Sequence, residues 1–202
     1  MKNIYDELLM SFCSKDGQHQ KVAYPCMAGQ YAYATDMTKA IRIPVSMIAS
    51  NYGDPKVLIQ GIFDRPKVDP VEINREKLRE FIDGIPKEDA YEMCEQCEGT
   101  GQVLCPCCEH IDVCKECRGV GHNGKKIGKK IAHYAIISIL GSIYKADNIE
   151  TLVEVAEKLE AQIRIVSERT SGIAIFEIGA DVSVAICTTM ARHDSKIFEL
   201  EI

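Results

Sequence analysis

Tryptophan is absent from this 202-residue chain and phenylalanine occurs only five times, so a platform of aromatic rings for stacking nucleic-acid bases is not expected. No apolar run approaches the roughly 18 residues of a membrane-crossing helix. Nor does the amino-terminal region show a charged-then-apolar stretch ending in a small-residue cleavage site. The chain therefore reads as soluble and cytoplasmic, with no membrane partner. Positive charge is not in excess either: 24 Lys and Arg against 30 Asp and Glu leave a net charge of −6. That argues against a protein whose whole surface grips nucleic acid, because such binding neutralises phosphates with Lys and Arg. A local basic face is still compatible with it.

What the chain does have is a sizeable apolar fraction, 46% of its residues, enough for one compact domain or two small ones. It also has ten cysteines, seven of them between Cys94 and Cys117 in closely spaced pairs. In a reducing compartment that clustering favours metal over disulfides. Cys13, Cys26 and Cys187 sit among apolar neighbours and are expected to be core thiols.

The cysteine-rich stretch reads Cys94-Glu-Gln-Cys97-Glu-Gly-Thr-Gly101, then Cys105-Pro-Cys107-Cys108-Glu-His110, then Cys114-Lys-Glu-Cys117-Arg-Gly-Val-Gly121. A two-residue gap lets one turn present two sulfurs to one ion, and two such turns complete the tetrahedron that zinc prefers. The glycines after each pair let the backbone fold back tightly. Cys105 and Cys108, with Cys107 and His110 beside them, could hold a second zinc, or some of these thiols could be unliganded or replace a member of the first site. The insert has almost no apolar residues of its own, so metal binding is expected to supply its folding energy. All-cysteine sites are closed, whereas catalytic zinc keeps an open position. The His-x-Glu of a deaminase is not found ahead of the cysteines. No catalytic residue is therefore assigned and the chain reads as non-enzymatic.

Gly119 to Gly124 fits Gly-x-Gly-x-x-Gly but follows a cysteine pair instead of a strand, and Gly119 to Lys125 is followed by Lys126 where a phosphate loop needs Ser or Thr. No nucleotide cofactor is expected. Lys125, Lys126, Lys129 and Lys130 form a basic cluster that reads as a solvated connector or as a phosphate contact. His19, His122, His133 and His193 are scattered.

Along the rest of the chain, Ile4, Leu8 and Phe12 predict a helix capped by Asn3. Residues 21–44 and 56–63 read as strands. A short strand and a helix capped by Asn74 and stopped at Gly84 follow the Pro-containing stretch 64–70. Residues 129–144 are strand-like, although periodicity alone also allows a buried helix. Ile149, Leu152, Ala156, Leu159 and Ile163 predict a helix face, with Asp147 and Glu150 at capping-box spacing. The tail alternates as strands over 163–166, 172–179, 182–187 and 196–202. Short turns between successive strands predict antiparallel pairing. The fold class is α+β, with residues 1–91 and 125–202 as a scaffold and residues 92–124 as an inserted zinc module.

Cys-x-x-Cys-x-Gly-x-Gly, present twice, resembles the cysteine-rich region of DnaJ-type co-chaperones. That resemblance implies one zinc held jointly by Cys94, Cys97, Cys114 and Cys117. It covers about 30 residues, there is no His-Pro-Asp-bearing J domain, and a chaperone or adaptor role that binds protein chains is the function it suggests. Outside the insert, Gln30 to Arg42, with its Ala34-Thr35-Asp36 turn, and Gly172 to Arg192 resemble parts of bacterial and phage DNA polymerase sliding clamps. The family's Gly-His-Arg after the Asp is Met37-Thr38-Lys39 here. This second resemblance implies repeated helix-plus-antiparallel-strand units, a role in phage or mobile-element replication, homo-oligomerisation, and duplex DNA with replication proteins as partners. Its DNA-facing candidates are Lys2, Arg75, Lys77, Arg79 and Lys158.

Overall fold

The Asn3 side-chain oxygen accepts a hydrogen bond from the Tyr5 N–H at 2.8 Å, and this cap starts the predicted first helix, α1 (Ile4–Ser11). The computed structural model describes residues 3–14, 21–57, 59–105, 107–108, 110–167 and 172–201, so Lys2 and His19 lie outside the described residues. After α1 come β1 (Cys26–Ala28), β2 (Tyr31–Thr35), β3 (Lys39–Pro44), a one-turn helix α2 (Gln60–Phe63), β4 (Lys67–Ile73) and α3 (Arg75–Asp83). The middle of the chain forms β5 (Lys87–Met93), β6 (Gln102–Leu104), β7 (Ile111–Val113) and β8 (His122–Ile131). It ends with β9 (Ala135–Ile139), β10 (Ser142–Lys145), α4 (Ala146–Lys158), β11 (Ile163–Ser167), β12 (Ile173–Ile178), β13 (Val182–Cys187) and β14 (Lys196–Leu200).

The scaffold is built on a seven-stranded antiparallel sheet in the order β1-β2-β3-β13-β12-β11-β4. Its two faces follow from strict alternation. Ala32, Ala34, Ile41, Ile43, Ala174, Phe176, Val184 and Ile186 point to one side, where they pack with α1, α3, α4 and the smaller β10-β9-β14 sheet. Tyr33, Ala40, Ile175 and Ala185, one register apart, point to the other side, where Ile59 and Phe63 cover them. Both faces are thus buried, which explains why the tail strands are so continuously apolar. Pro70 sits in β4 at the sheet edge, the place where a missing N–H costs no ladder bond.

The α+β class therefore stands, with mostly antiparallel strands, while superposable helix-plus-strand repeats are not shown. The strand reading of residues 129–144 holds in β8, β9 and β10, and three local expectations are corrected. Among the described residues of 56–63 there is no strand: the one-turn helix Gln60–Phe63 brings Ile59 and Phe63, four apart, onto the second sheet face. The helix predicted to reach Ile163 stops at Lys158 with Leu159 as its C-cap, and Ile163 opens β11. Asp147 is not its N-cap, because β10 runs straight into the helix and leaves Lys145 in that position with no side-chain cap. The last strand is a further departure: β14 pairs with β9 in parallel, from Lys196 opposite Ala135 to Leu200 opposite Ile139. Cys13 is buried as expected, but Cys26 and Cys187 are only half-buried.

The β2–β3 turn is held by Asp36. Its carboxylate accepts from the N–H groups of Thr38 and Lys39 at 2.9 and 3.0 Å and pairs with the Lys39 ammonium at 2.7 Å, while Met37 takes φ 76°. Burial pushes this carboxyl up, but the bonds and charge of Lys39 outweigh it and hold it below its ordinary value. A depressed folded-state value contributes stability above the unfolded value and loses it as pH falls through the folded one, from about 4 downward. Asp36→Ala is expected to cost about 1–3 kcal/mol at pH 7. Urea titrations at descending pH should show the gap between wild type and variant closing below about pH 4.

Candidate metal centre

Two cysteine pairs fold into matching turns. In the first, Glu98 and Gly99 adopt φ 48° and 86°; in the second, Arg118 and Gly119 adopt φ 54° and 87°. Each turn brings a glycine N–H back onto its own last sulfur, Gly101 onto Cys97 at 3.2 Å and Gly121 onto Cys117 at 3.3 Å. The turns then bond reciprocally. Cys114 N–H donates to the Gly101 carbonyl at 2.8 Å and Cys94 N–H to the Gly121 carbonyl at 3.0 Å. Even the residues inside the pairs correspond: the Gln96 side chain accepts from the Cys114 thiol at 3.1 Å, and the Glu116 carboxylate from the Cys94 thiol at 3.5 Å.

The result is a buried quartet of sulfurs, Cys94, Cys97, Cys114 and Cys117, all within 4.8 Å of one another. Cys94 and Cys114 are 3.7 Å apart and Cys97 and Cys117 3.6 Å. Four sulfurs at about 2.3 Å from a tetrahedral zinc lie about 3.8 Å apart, so the spacing fits the ion. These four could hold zinc as a closed, all-thiolate set. Burial pushes the Cys94 thiol up to about 12. Burial acts the same way on Cys117, but the Gly121 N–H and neighbouring thiols outweigh it and bring that thiol to about 7. The N–H groups of the turns are therefore placed to support thiolate, the form a metal takes.

The other candidate ligands behave differently. Cys105, Cys107 and Cys108 have their sulfurs within 4.8 Å of one another, but Cys107 and Cys108 are exposed. The His110 imidazole is not among them and faces Asp112, Nε2 to Oδ1 3.6 Å. Hydrogen bonding by the Cys107 thiol lowers the Cys105 thiol to about 7.

Ribbon β5–β8 carries the module. Its root, Ile131, belongs to the main core together with Ile85, while its far end continues into the Cys94 to Gly121 bond. Charged residues dominate both strands, which hid β5 from sequence reading. The basic cluster is largely answered in place: Lys125 pairs with Glu92 at 3.2 Å, Lys126 with Asp89 at 2.7 Å and Lys130 with Glu88 at 3.3 Å. His122 stacks on Tyr91 with centroids 4.5 Å apart. The Gly119–Gly124 run lies in the second turn and the start of β8, not at a strand-to-helix junction.

Within the module, β6 and β7 pair with Val103 opposite Asp112 and Leu104 opposite Ile111. Val103 packs on the cysteines. The opposite face shows Leu104, Ile111 and Val113, each about three-fifths exposed. Sequence reading, which saw almost no apolar residues here, missed this stripe; the signal was the alternation of Gln102-Val-Leu104 and Ile111-Asp-Val113, too short to stand out.

The helix layer is not cationic. Together α3 and α4 carry four Lys and Arg against seven Asp and Glu. Arg79 donates from Nε to Glu157 at 2.7 Å and makes a second bond to its other oxygen, and Arg75 pairs with Glu76 at 2.8 Å. Among the described residues no helix is long and apolar enough to cross a membrane. Fold and site together define an α+β protein bearing a four-cysteine module on a β-ribbon. No family model matches the chain, and no curated protein matches it either.

Proposed function

We propose that this is a non-enzymatic binding protein whose zinc-stabilised tip presents β6 and β7 to an extended apolar segment of a partner protein chain. The observation that carries this reading is the two-sided ribbon: Val103 packs against the four buried cysteines while Leu104, Ile111 and Val113 face outward. An isolated two-stranded ribbon is marginal in water, so the zinc fixes a surface that could not hold its shape alone. Both outer edges of the pair can accept another strand, as in strand-addition recognition. This is the adaptor reading implied by the DnaJ-like cysteine pattern. The clamp reading, with duplex DNA, replication proteins and a homo-oligomeric ring, is the competing proposal. It receives less support, because the candidate cations Arg75 and Arg79 and most of the basic cluster are paired with acids.

The test is titration of labelled extended apolar peptides against the zinc-loaded full chain and against Leu104→Lys/Ile111→Lys. Burying one such side chain is worth about 1.5–3 kcal/mol, so the double variant is expected to bind at least about tenfold more weakly with its zinc content unchanged. Equal binding by both proteins would contradict the proposal. Retention on duplex DNA that falls steeply with salt, in a chain of oligomeric mass, would favour the clamp reading instead.

A further inference from the structure

Cys105, Cys107 and Cys108 share a loop but not the features of the zinc turns. The paired cysteines of the closed site are each followed by a Gly-x-Gly, whereas Cys108 is followed by Glu109-His110-Ile111. The Cys105 and Cys107 sulfurs are 2.9 Å apart, against 3.6 and 3.7 Å in the buried quartet. That separation is too short for two ligands of one tetrahedral zinc, at about 3.8 Å, and less than about 1 Å from the 2.05 Å of a disulfide bond. Cys107 is exposed and Cys105 half-exposed, while all four members of the quartet are buried. Exposed disulfides are the labile, exchanging ones.

We propose that Cys105 and Cys107, held sulfur to sulfur at the surface of the tip, are a dithiol that exchanges with low-molecular-weight disulfides of the glutathione type while the buried quartet keeps its metal. The Cys105 thiolate attacks one sulfur of the small disulfide, a Cys105–S bond forms, and the other half leaves as a thiolate that takes up a proton. The Cys107 thiolate then attacks the Cys105 sulfur and the second half leaves in the same way. Two cysteine thiols are oxidised to one disulfide, one small disulfide is reduced to two thiols, and two electrons and two protons are transferred. Cys108 lies close enough to compete for the second step.

The zinc-loaded full chain is incubated with glutathione disulfide over a range of glutathione ratios, then mapped by peptide mass spectrometry with its zinc content measured in parallel. A Cys105–Cys107 linkage with zinc retained is expected, and Cys107→Ser/Cys108→Ser should stop at one stable glutathione adduct on Cys105. The proposal is overturned by the absence of any linkage, by a linkage to Cys108 in place of Cys107, or by oxidation of the quartet with zinc release. A second zinc that occupies the three thiols and blocks oxidation overturns it too. None of these outcomes depends on whether the Leu104 face binds peptides.

Discussion

Removing zinc with a strong chelator is expected to unfold residues 94–121 and leave the seven-stranded sheet standing. Cys94, Cys97, Cys114 and Cys117 form a buried cluster of their own, with Val103 as its packed apolar neighbour, and no described residue between 94 and 121 belongs to either scaffold core. Little apolar burial is left to hold the module when the ion leaves. Structural zinc contributes about 10–16 kcal/mol in small folded modules at pH 7, far more than β6–β7 and a few turn bonds can replace. In hydrogen exchange, amides of the module should lose protection on chelation while those of β3, β12 and β13 keep theirs. Cys94→Ser should reproduce the same local loss without chelator. Acid should act as chelator does, because the ligands bind as thiolates and protonation releases the metal as pH falls. A cooperative collapse of the whole chain on chelation would contradict the separation of module and scaffold.

The second large effect comes from a single methyl group. A Cβ at Gly121 would lie 2.3 Å from the Gly99 carbonyl oxygen, and a Cβ at Gly101 2.3 Å from that of Gly119. Both obstacles are backbone, so neither can swing aside, and each lies on the opposite cysteine turn. Gly121→Ala and Gly101→Ala should each force the two turns apart and weaken zinc at least about a hundredfold, equivalent to about 2.7 kcal/mol. Gly124 separates this clash from simple backbone strain: it has φ +82° but open space around its missing Cβ. Gly124→Ala should therefore cost only the about 1–2 kcal/mol of a left-handed alanine and leave zinc affinity intact. Competition against a chromophoric zinc chelator ranks the three variants, and equal affinities would refute the close-packed turns.

The contrast between these glycines shows how far the sequence could be read. Two Cys-x-x-Cys pairs, each with its Gly-x-Gly, announce a metal module because few other structures need that spacing. What pattern does not reveal is that Gly101 and Gly121 touch the opposite turn, since their contacts are made 18 to 22 residues away in the chain. Strands such as Ile173–Ile178 were legible because both sheet faces are buried and every residue but Glu177 is apolar. Strand β5 was not, because Lys87-Glu-Asp-Ala-Tyr-Glu-Met93 is stabilised by ion pairs across a ribbon and carries no apolar alternation. The parallel return of β14 onto β9 depends on where residues 188–195 travel, which no local signal specifies. His110 has metal-ligand company in sequence, yet in space it faces Asp112. The basic run at residues 125–130 reads as a solvated connector or a phosphate contact, and pattern alone does not reveal its acidic partners on β5.

X-ray absorption at the zinc edge on the purified full chain tests the closed four-thiolate site most directly. Four sulfur neighbours at about 2.3 Å, with no nitrogen or oxygen in the first shell, is the predicted spectrum. A shell containing nitrogen or oxygen, or a protein that retains no zinc, would contradict it.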